Sequence, residues 1–202
     1  MDRRRRVLVQ SSENEQGALD ERYAWELEAL RPLGVELVEV AGSDAEEFLV
    51  AAPEVDAVLA YHRRISGRDI ERLERCRVIA CASVGTDTVD VEAATREGIV
   101  VTNVPDVFVE EVAEHTWALI LAASRRVVEL DRIARGGPWN EGRELLYRQP
   151  RLYGQTLGLV SWGRVARAVA RRAHAFGLRL LAWDPFVDET SMTSQGVEPV
   201  AF

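Results

Sequence analysis

The 202-residue chain has no lysine: all 25 of its basic residues are arginine, a mark of a GC-rich genome rather than of a chemistry. Cysteine is nearly absent too. Cys76 and Cys81 flank a strand-like segment and match no metal-ligand spacing, so both are expected to be reduced, buried apolar residues. No apolar run approaches the ~18 residues needed to span a bilayer. The start, Met1 to Val9, runs from a basic cluster into a strand-like stretch too short for a signal-peptide core. A cytoplasmic protein without a membrane partner is expected. A net charge of −8 argues against nucleic acid as a partner. The cluster Arg3 to Arg6 is too short to overturn that and reads as a solvated tip. What remains, 47% hydrophobic and 29% charged residues, is the composition of an ordinary globular protein.

Short apolar runs alternate with helical patterns from the start. Val7 to Val9, Val35 to Val40, Val55 to Ala60, Val78 to Cys81 and Ile99 to Thr102 read as strands. Leu19 to Leu30, Asp44 to Val50, Gly67 to Arg75 and Val91 to Arg96 read as helices between them. Near-continuous apolar strands in such an alternation predict a parallel sheet covered on both faces, a complete small α/β domain over residues 1–104. A single long helix is expected from Val107 to Arg135, ended by Gly136-Gly137-Pro138 and passing between two domains. A polar connector, Gly137 to Tyr153, follows it.

The chemistry-bearing pattern begins at Thr156. An apolar run, Leu157 to Val160, meets a small-residue turn, Ser161-x-Gly163-x-x-Ala166, that opens a helix. A second apolar run, Leu178 to Trp183, ends in Asp184, 21 positions after Gly163. This is the layout of a dinucleotide-binding βαβ unit, in which small residues let backbone N–H groups and the helix N-terminus approach a pyrophosphate. Ala166 satisfies its position, whose task is close helix–strand packing. Ser161 departs from the glycine expected of a tight turn, because a Cβ disfavours positive φ. Asp184 is placed to bond the ribose hydroxyls and to favour NAD over NADP, since a carboxylate repels a 2′-phosphate; the competing reading is a solvated residue opening an Asp-Pro turn.

With these segments in hand the chain resembles the D-isomer-specific 2-hydroxyacid dehydrogenases, a family that includes phosphoglycerate and D-lactate dehydrogenases and the C-terminal-binding-protein corepressors. Four stretches match in order: Ser83 to Asp90, Gly98 to Pro105, Val112 to Thr116, and Gly154 through Pro185. The resemblance implies a flavodoxin-like N-terminal substrate domain (residues 1–104), then an interdomain helix and a Rossmann domain for NAD (residues 105–202). It implies that Val84 and Gly85 offer backbone N–H groups to a substrate carboxylate and to the nicotinamide. Thr116 would face the cofactor, and Ser161, Gly163, Arg164 and Val165 would frame the pyrophosphate. A small 2-hydroxy or 2-keto acid is the implied substrate, and a homodimer the implied state of the complete protein.

The resemblance also implies what is missing. The family's catalytic Arg, Glu and His belong to a part of the Rossmann domain that would follow residue 202, so no catalytic residue is assigned here. His115 reads as a packed helix residue, His174 as surface or packing, and His62, which follows a strand, as a candidate to line the cleft with Tyr61. One βαβ unit and a strand-like tail, Gly196 to Phe202, leave apolar strand faces uncovered, which reads as a fragment of a longer fold. Competing expectations are a non-enzymatic, NAD-sensing, corepressor-like module and an inactive remnant.

Overall fold

The computed structural model describes residues 3–11, 18–41, 45–61, 63–137 and 139–202. His62, Asp44 and Pro138 lie outside the described residues. The chain divides into two compact units, Met1–Val107 and Phe108–Phe202.

The first unit is an α/β fold built on five parallel strands: β1 (Arg6–Ser11), β2 (Glu36–Ala41), β3 (Ala57–Ala60), β4 (Val78–Cys81) and β5 (Val100–Thr102). Their order is β2-β1-β3-β4-β5. Register across the sheet puts Leu8 beside Val38 and Val58, and Val58 beside Ile79, so one face presents a continuous apolar row. Leu8, Val58 and Ile79 are buried there with Phe48, Ile70 and Ala94 from the covering helices. Those helices are α3 (Ala45–Ala51), α4 (Gly67–Glu71) and α5 (Val91–Arg96). Local chemistry starts two of them: Ser66 and Asp69 form a reciprocal capping box on α4, and Asp90 accepts from Ala93 N at 2.9 Å on α5. Cys76 and Cys81 are free and buried, and burial pushes the Cys76 thiol up to about 11.

The helix expected over Leu19 to Leu30 is broken. Two pieces, α1 (Leu19–Arg22) and α2 (Ala24–Leu30), are separated by Tyr23 at φ −114°, ψ 34°. The ring of Tyr23 is buried and lies 6.2 Å from that of Tyr61. Tertiary packing of an aromatic ring accompanies the break, which helical periodicity cannot reveal.

The second unit holds helices α6 (Val109–Ser124), α7 (Val127–Gly136) and α8 (Trp139–Tyr147), then β6 (Thr156–Val160), α9 (Arg164–Ala175), β7 (Arg179–Trp183), α10 (Glu189–Thr193) and β8 (Glu198–Pro199). The three strands are parallel in the order β6-β7-β8. The single helix expected from Val107 to Arg135 is two helices. Ser124 Oγ bonds back to Leu121 O at 3.3 Å, and Arg126 at φ +51° interrupts the helix before Val127 restarts it. The connector Gly137 to Tyr153 contains α8. Helix α6 packs on α9 within its own unit. Trp117 Nε1 donates to Val169 O at 3.1 Å, the Trp117 and Phe176 rings stack at 4.5 Å, and Glu110 takes Arg171 and Arg172 at 2.7 Å each.

Candidate functional site

The first unit carries its candidate loop directly after β4. Ser83 O accepts from Val104 N at 3.1 Å, Val84 O from Asn103 Nδ2 at 2.7 Å, and Gly85 O from Ser83 Oγ at 2.7 Å. All three loop carbonyls are thus occupied. Among the described residues the N–H groups of Val84 and Gly85 donate to nothing, and Val84 is exposed. Two free, adjacent amides on a braced, exposed loop are donors available to an anion. Gly85 is not at positive φ, so the turn does not demand glycine. A Cβ there would come within 2.5 Å of Asp87 Oδ1, the end of an exposed side chain that can turn aside. Asn103 was not signalled by spacing, because its contribution is a tertiary hydrogen bond.

In the second unit the turn between β6 and α9 joins Ser161, Trp162, Gly163 and Asp184. Ser161 adopts φ +90°, the region that the missing glycine would occupy freely, and Ser161 N bonds Trp183 O at 2.7 Å. Gly163 caps α9 without any side-chain bond to the first-turn amides, and a Cβ at Gly163 would meet nothing nearer than Ser161 Oγ at 3.8 Å. An uncapped helix N-terminus behind an open backbone is a ready anion site. Trp162 points the other way. Its side chain is fully buried, and Nε1 reaches Ser191 O and Oγ at 3.3 Å. Sequence spacing left this position as a variable residue; its packing role comes from burial.

Asp184 is more engaged than the sequence suggested. Oδ2 accepts from Trp162 N at 2.7 Å and Ser161 Oγ at 3.4 Å, while Oδ1 accepts from Phe186 N at 2.9 Å and Val187 N at 3.2 Å. The hydrogen bond from Trp162 N, followed by that from Phe186 N, holds its carboxyl below the usual carboxylate range. The carboxylate therefore ties the two turns together.

Arg164 is exposed at the start of α9, and Val165 packs against the second unit's core. Thr116 is half-buried on α6 and donates to Val112 O at 2.7 Å. His115 is exposed, not packed as expected, because the buried stripe of α6 runs through Ala113 and Trp117. His174 Nε2 lies 2.9 Å from Gln195 O.

The strain at Ser161 yields a direct expectation. Ser161→Gly should stabilise the second unit by about 1 kcal/mol, the scale of releasing a non-glycine residue from a sparsely populated backbone region. Urea unfolding checks this; an unchanged or lower midpoint would mean the Ser161–Asp184 bond outweighs the strain.

Comparison with known proteins adds four findings. The model of a family described as D-isomer specific 2-hydroxyacid dehydrogenase, catalytic domain, matches residues 8–201. A glyoxylate reductase of Thermococcus gammatolerans is 41% identical over 141 residues, 67% of this chain and 42% of that protein. A D-3-phosphoglycerate dehydrogenase of Methanocaldococcus jannaschii is 39% identical over 165 residues, 81% of this chain and 31% of its own length. The crystal structure of a Thermus thermophilus protein superposes with a TM-score of 0.74 at 35% identity, over 97% of this chain and 60% of that one. The chain thus spans less than half the length of these two curated relatives.

Proposed function

The chain belongs to the D-isomer specific 2-hydroxyacid dehydrogenase family, and from that premise we propose that it contributes the NAD-binding turn and a carboxylate-binding loop to an oxidoreductase of 2-hydroxy acid/2-keto acid pairs. The observation that supports this most is the uncapped N-terminus of α9 behind Ser161 and Gly163, with Asp184 at the end of β7. These residues fit a dinucleotide: the first-turn amides of α9 are free of side-chain caps, and nothing but Ser161 Oγ approaches the Gly163 backbone. When bound, NAD supplies the hydride acceptor for oxidation of a hydroxy acid. The amides of Arg164 and Val165 and the α9 dipole hold the pyrophosphate. Asp184 orients the ribose and disfavours a 2′-phosphate. The Val84 and Gly85 amides fix the substrate carboxylate, and Thr116 lines the cofactor site. The whole protein is proposed to act as a cytoplasmic homodimer, with the exposed Val127, Val128 and Tyr147 of α7 and α8 available to a second copy.

Proton exchange with the substrate's C2 oxygen is not assigned to any residue of this chain. The 202-residue polypeptide is therefore expected to bind a 2-keto acid weakly, shifting the amide resonances of Val84 and Gly85. It should show no measurable NADH-dependent reduction of glyoxylate, pyruvate or hydroxypyruvate. A turnover of about one per second, the low end of ordinary enzymes, would show that a catalytic group lies within it. Absence of any amide response at Val84 and Gly85 would remove them from the substrate site.

A further inference from the structure

The first unit also holds a cavity of about 380 Å³ between α1–α2 and the edge strand β2. That volume falls in the range of small-molecule sites, roughly 300–1,000 Å³. Asp20, Ala24, Leu27 and Arg31 recur every three or four residues, so one side of the helical segment lines the cavity across the break at Tyr23. The facing wall is Val35 and Leu37, alternate residues that share a face as the chain enters β2. Leu27, Leu30, Val35 and Leu37 are all half-buried, so the fold leaves part of this apolar lining uncovered. Ala24 contributes only a methyl group, and a longer side chain there would enter the space.

Charge marks the two ends of that apolar floor. Arg4 Nε donates to Gly34 O at 3.2 Å, and Gly34 N donates to Arg31 O at 3.1 Å, so one turn before β2 sits with both arginines. Among the described residues the terminal nitrogens of Arg4 have no acceptor, and the side chains of Arg31 and Asp20 make no hydrogen bond or ion pair. Asp20 stands about three helical turns before Arg31, too far for the two to pair directly. Each end of the cavity therefore lacks a counter-ion. The cavity lies toward the amino ends of β1 and β2, whereas the Val84–Gly85 loop follows the carboxyl end of β4. The two sites stand at opposite ends of one parallel sheet.

We propose that this cavity binds a linear aliphatic carboxylate with an ammonium group at its far end, an ω-amino acid. Arg4 and Arg31 take the carboxylate, two cations whose N–H groups match its oxygens. Asp20 takes the ammonium, and the methylene chain covers the half-buried leucines and Val35. A ligand lacking one of these parts leaves an end of the cavity without its counter-ion: a fatty acid leaves Asp20, and an alkylamine leaves the arginines. An α-amino acid carries both charges at one end and cannot span the two. The site shares no residue with the Val84–Gly85 loop or the turn before α9, and it does not rest on the dehydrogenase reading.

The test is a titration of the 202-residue chain with 6-aminohexanoate, hexanoate and hexylamine, followed through the ¹³C methyl resonances of Leu27, Leu30 and Leu37. The first probe should shift them saturably, and the two singly charged probes should bind several-fold more weakly. Asp20→Asn should bring 6-aminohexanoate down to the level of hexanoate while leaving hexanoate no weaker. Arg31→Gln should weaken both carboxylates several-fold. Ala24→Leu keeps a strong helix former in place and fills the space, so the fold should hold and the response should vanish. The proposal is overturned if the methyl resonances do not move saturably, or if only the Val84 and Gly85 amides respond. It is equally overturned if hexanoate or hexylamine matches 6-aminohexanoate, or if any of the three variants binds as the unaltered chain does.

Discussion

Replacing Trp162 with alanine is expected to unfold the second unit under conditions where the first unit stays folded. Trp162 is fully buried among Ala168, Val169, Leu180, Met192 and Val197, and its indole N–H is satisfied by Ser191. Removing a buried Trp side chain costs about 3–5 kcal/mol from lost transfer energy and the cavity left behind. Domain stabilities are only about 5–15 kcal/mol, and this unit has a small core. Trp162→Phe should cost less, since it keeps most of the ring volume and loses only the bond to Ser191. Urea unfolding followed by far-ultraviolet circular dichroism should show the lower transition displaced in the Ala variant and the transition of the first unit, which has its own core around Leu8 and Phe48, unmoved. A shift below about 1 kcal/mol would mean that the surrounding side chains collapse into the space.

The second large effect concerns Asp184. Asp184→Ala should weaken NAD binding roughly 10- to 100-fold, the scale of losing hydrogen bonds to a charged group. It should also narrow the preference for NAD over NADP, because the charge that repels a 2′-phosphate is gone. The structure adds a complication that the sequence lacked: Asp184 also accepts from Trp162 N and Phe186 N, so alanine loosens the turn as well. Asp184→Asn separates the two roles. It keeps one acceptor oxygen for Trp162 N, carries no charge, and sets an NH2 group against the Phe186 and Val187 N–H groups, so it should relax the NADP discrimination while loosening only the turn after β7. Because the folded carboxyl lies below the ordinary 3.8, its stabilising contribution is present in full above that pH. The contribution is lost as pH falls through the lowered folded value. Acid unfolding of the second unit should therefore lose a component below pH 3.8 in Asp184→Asn. Equal cofactor affinities in wild type and both variants would leave Asp184 as a turn residue only.

Strand positions were largely legible because a sheet covered on both faces requires near-continuous apolar runs, and β1 to β7 lie within two or three residues of those runs at either end. Helix continuity was less so. Nothing in the periodicity of Leu19 to Leu30 or Val107 to Arg135 marks Tyr23 or Arg126 as a break, because the first goes with ring packing and the second with a single residue at positive φ. At the site, the turn and its acid were visible as spacing, and the strain anticipated for Ser161 is seen as φ +90°. The bond that Asp184 accepts from the Trp162 amide, the bracing of the Val84 carbonyl by Asn103, and the buried Trp162 were not visible. Each depends on residues at least 19 positions apart in the chain being brought together.

The central claim is that the N-terminus of α9 receives the pyrophosphate of a dinucleotide. An ¹H–¹⁵N titration of the 202-residue chain with ADP-ribose tests it most directly, because weak binding still moves amide resonances. The expected result is a saturable shift of the Gly163, Arg164 and Val165 amides, with Phe186 and Val187 following as the ribose meets Asp184. Saturable shifts elsewhere with these amides unmoved, or no shifts at concentrations where inorganic pyrophosphate moves them, would contradict it.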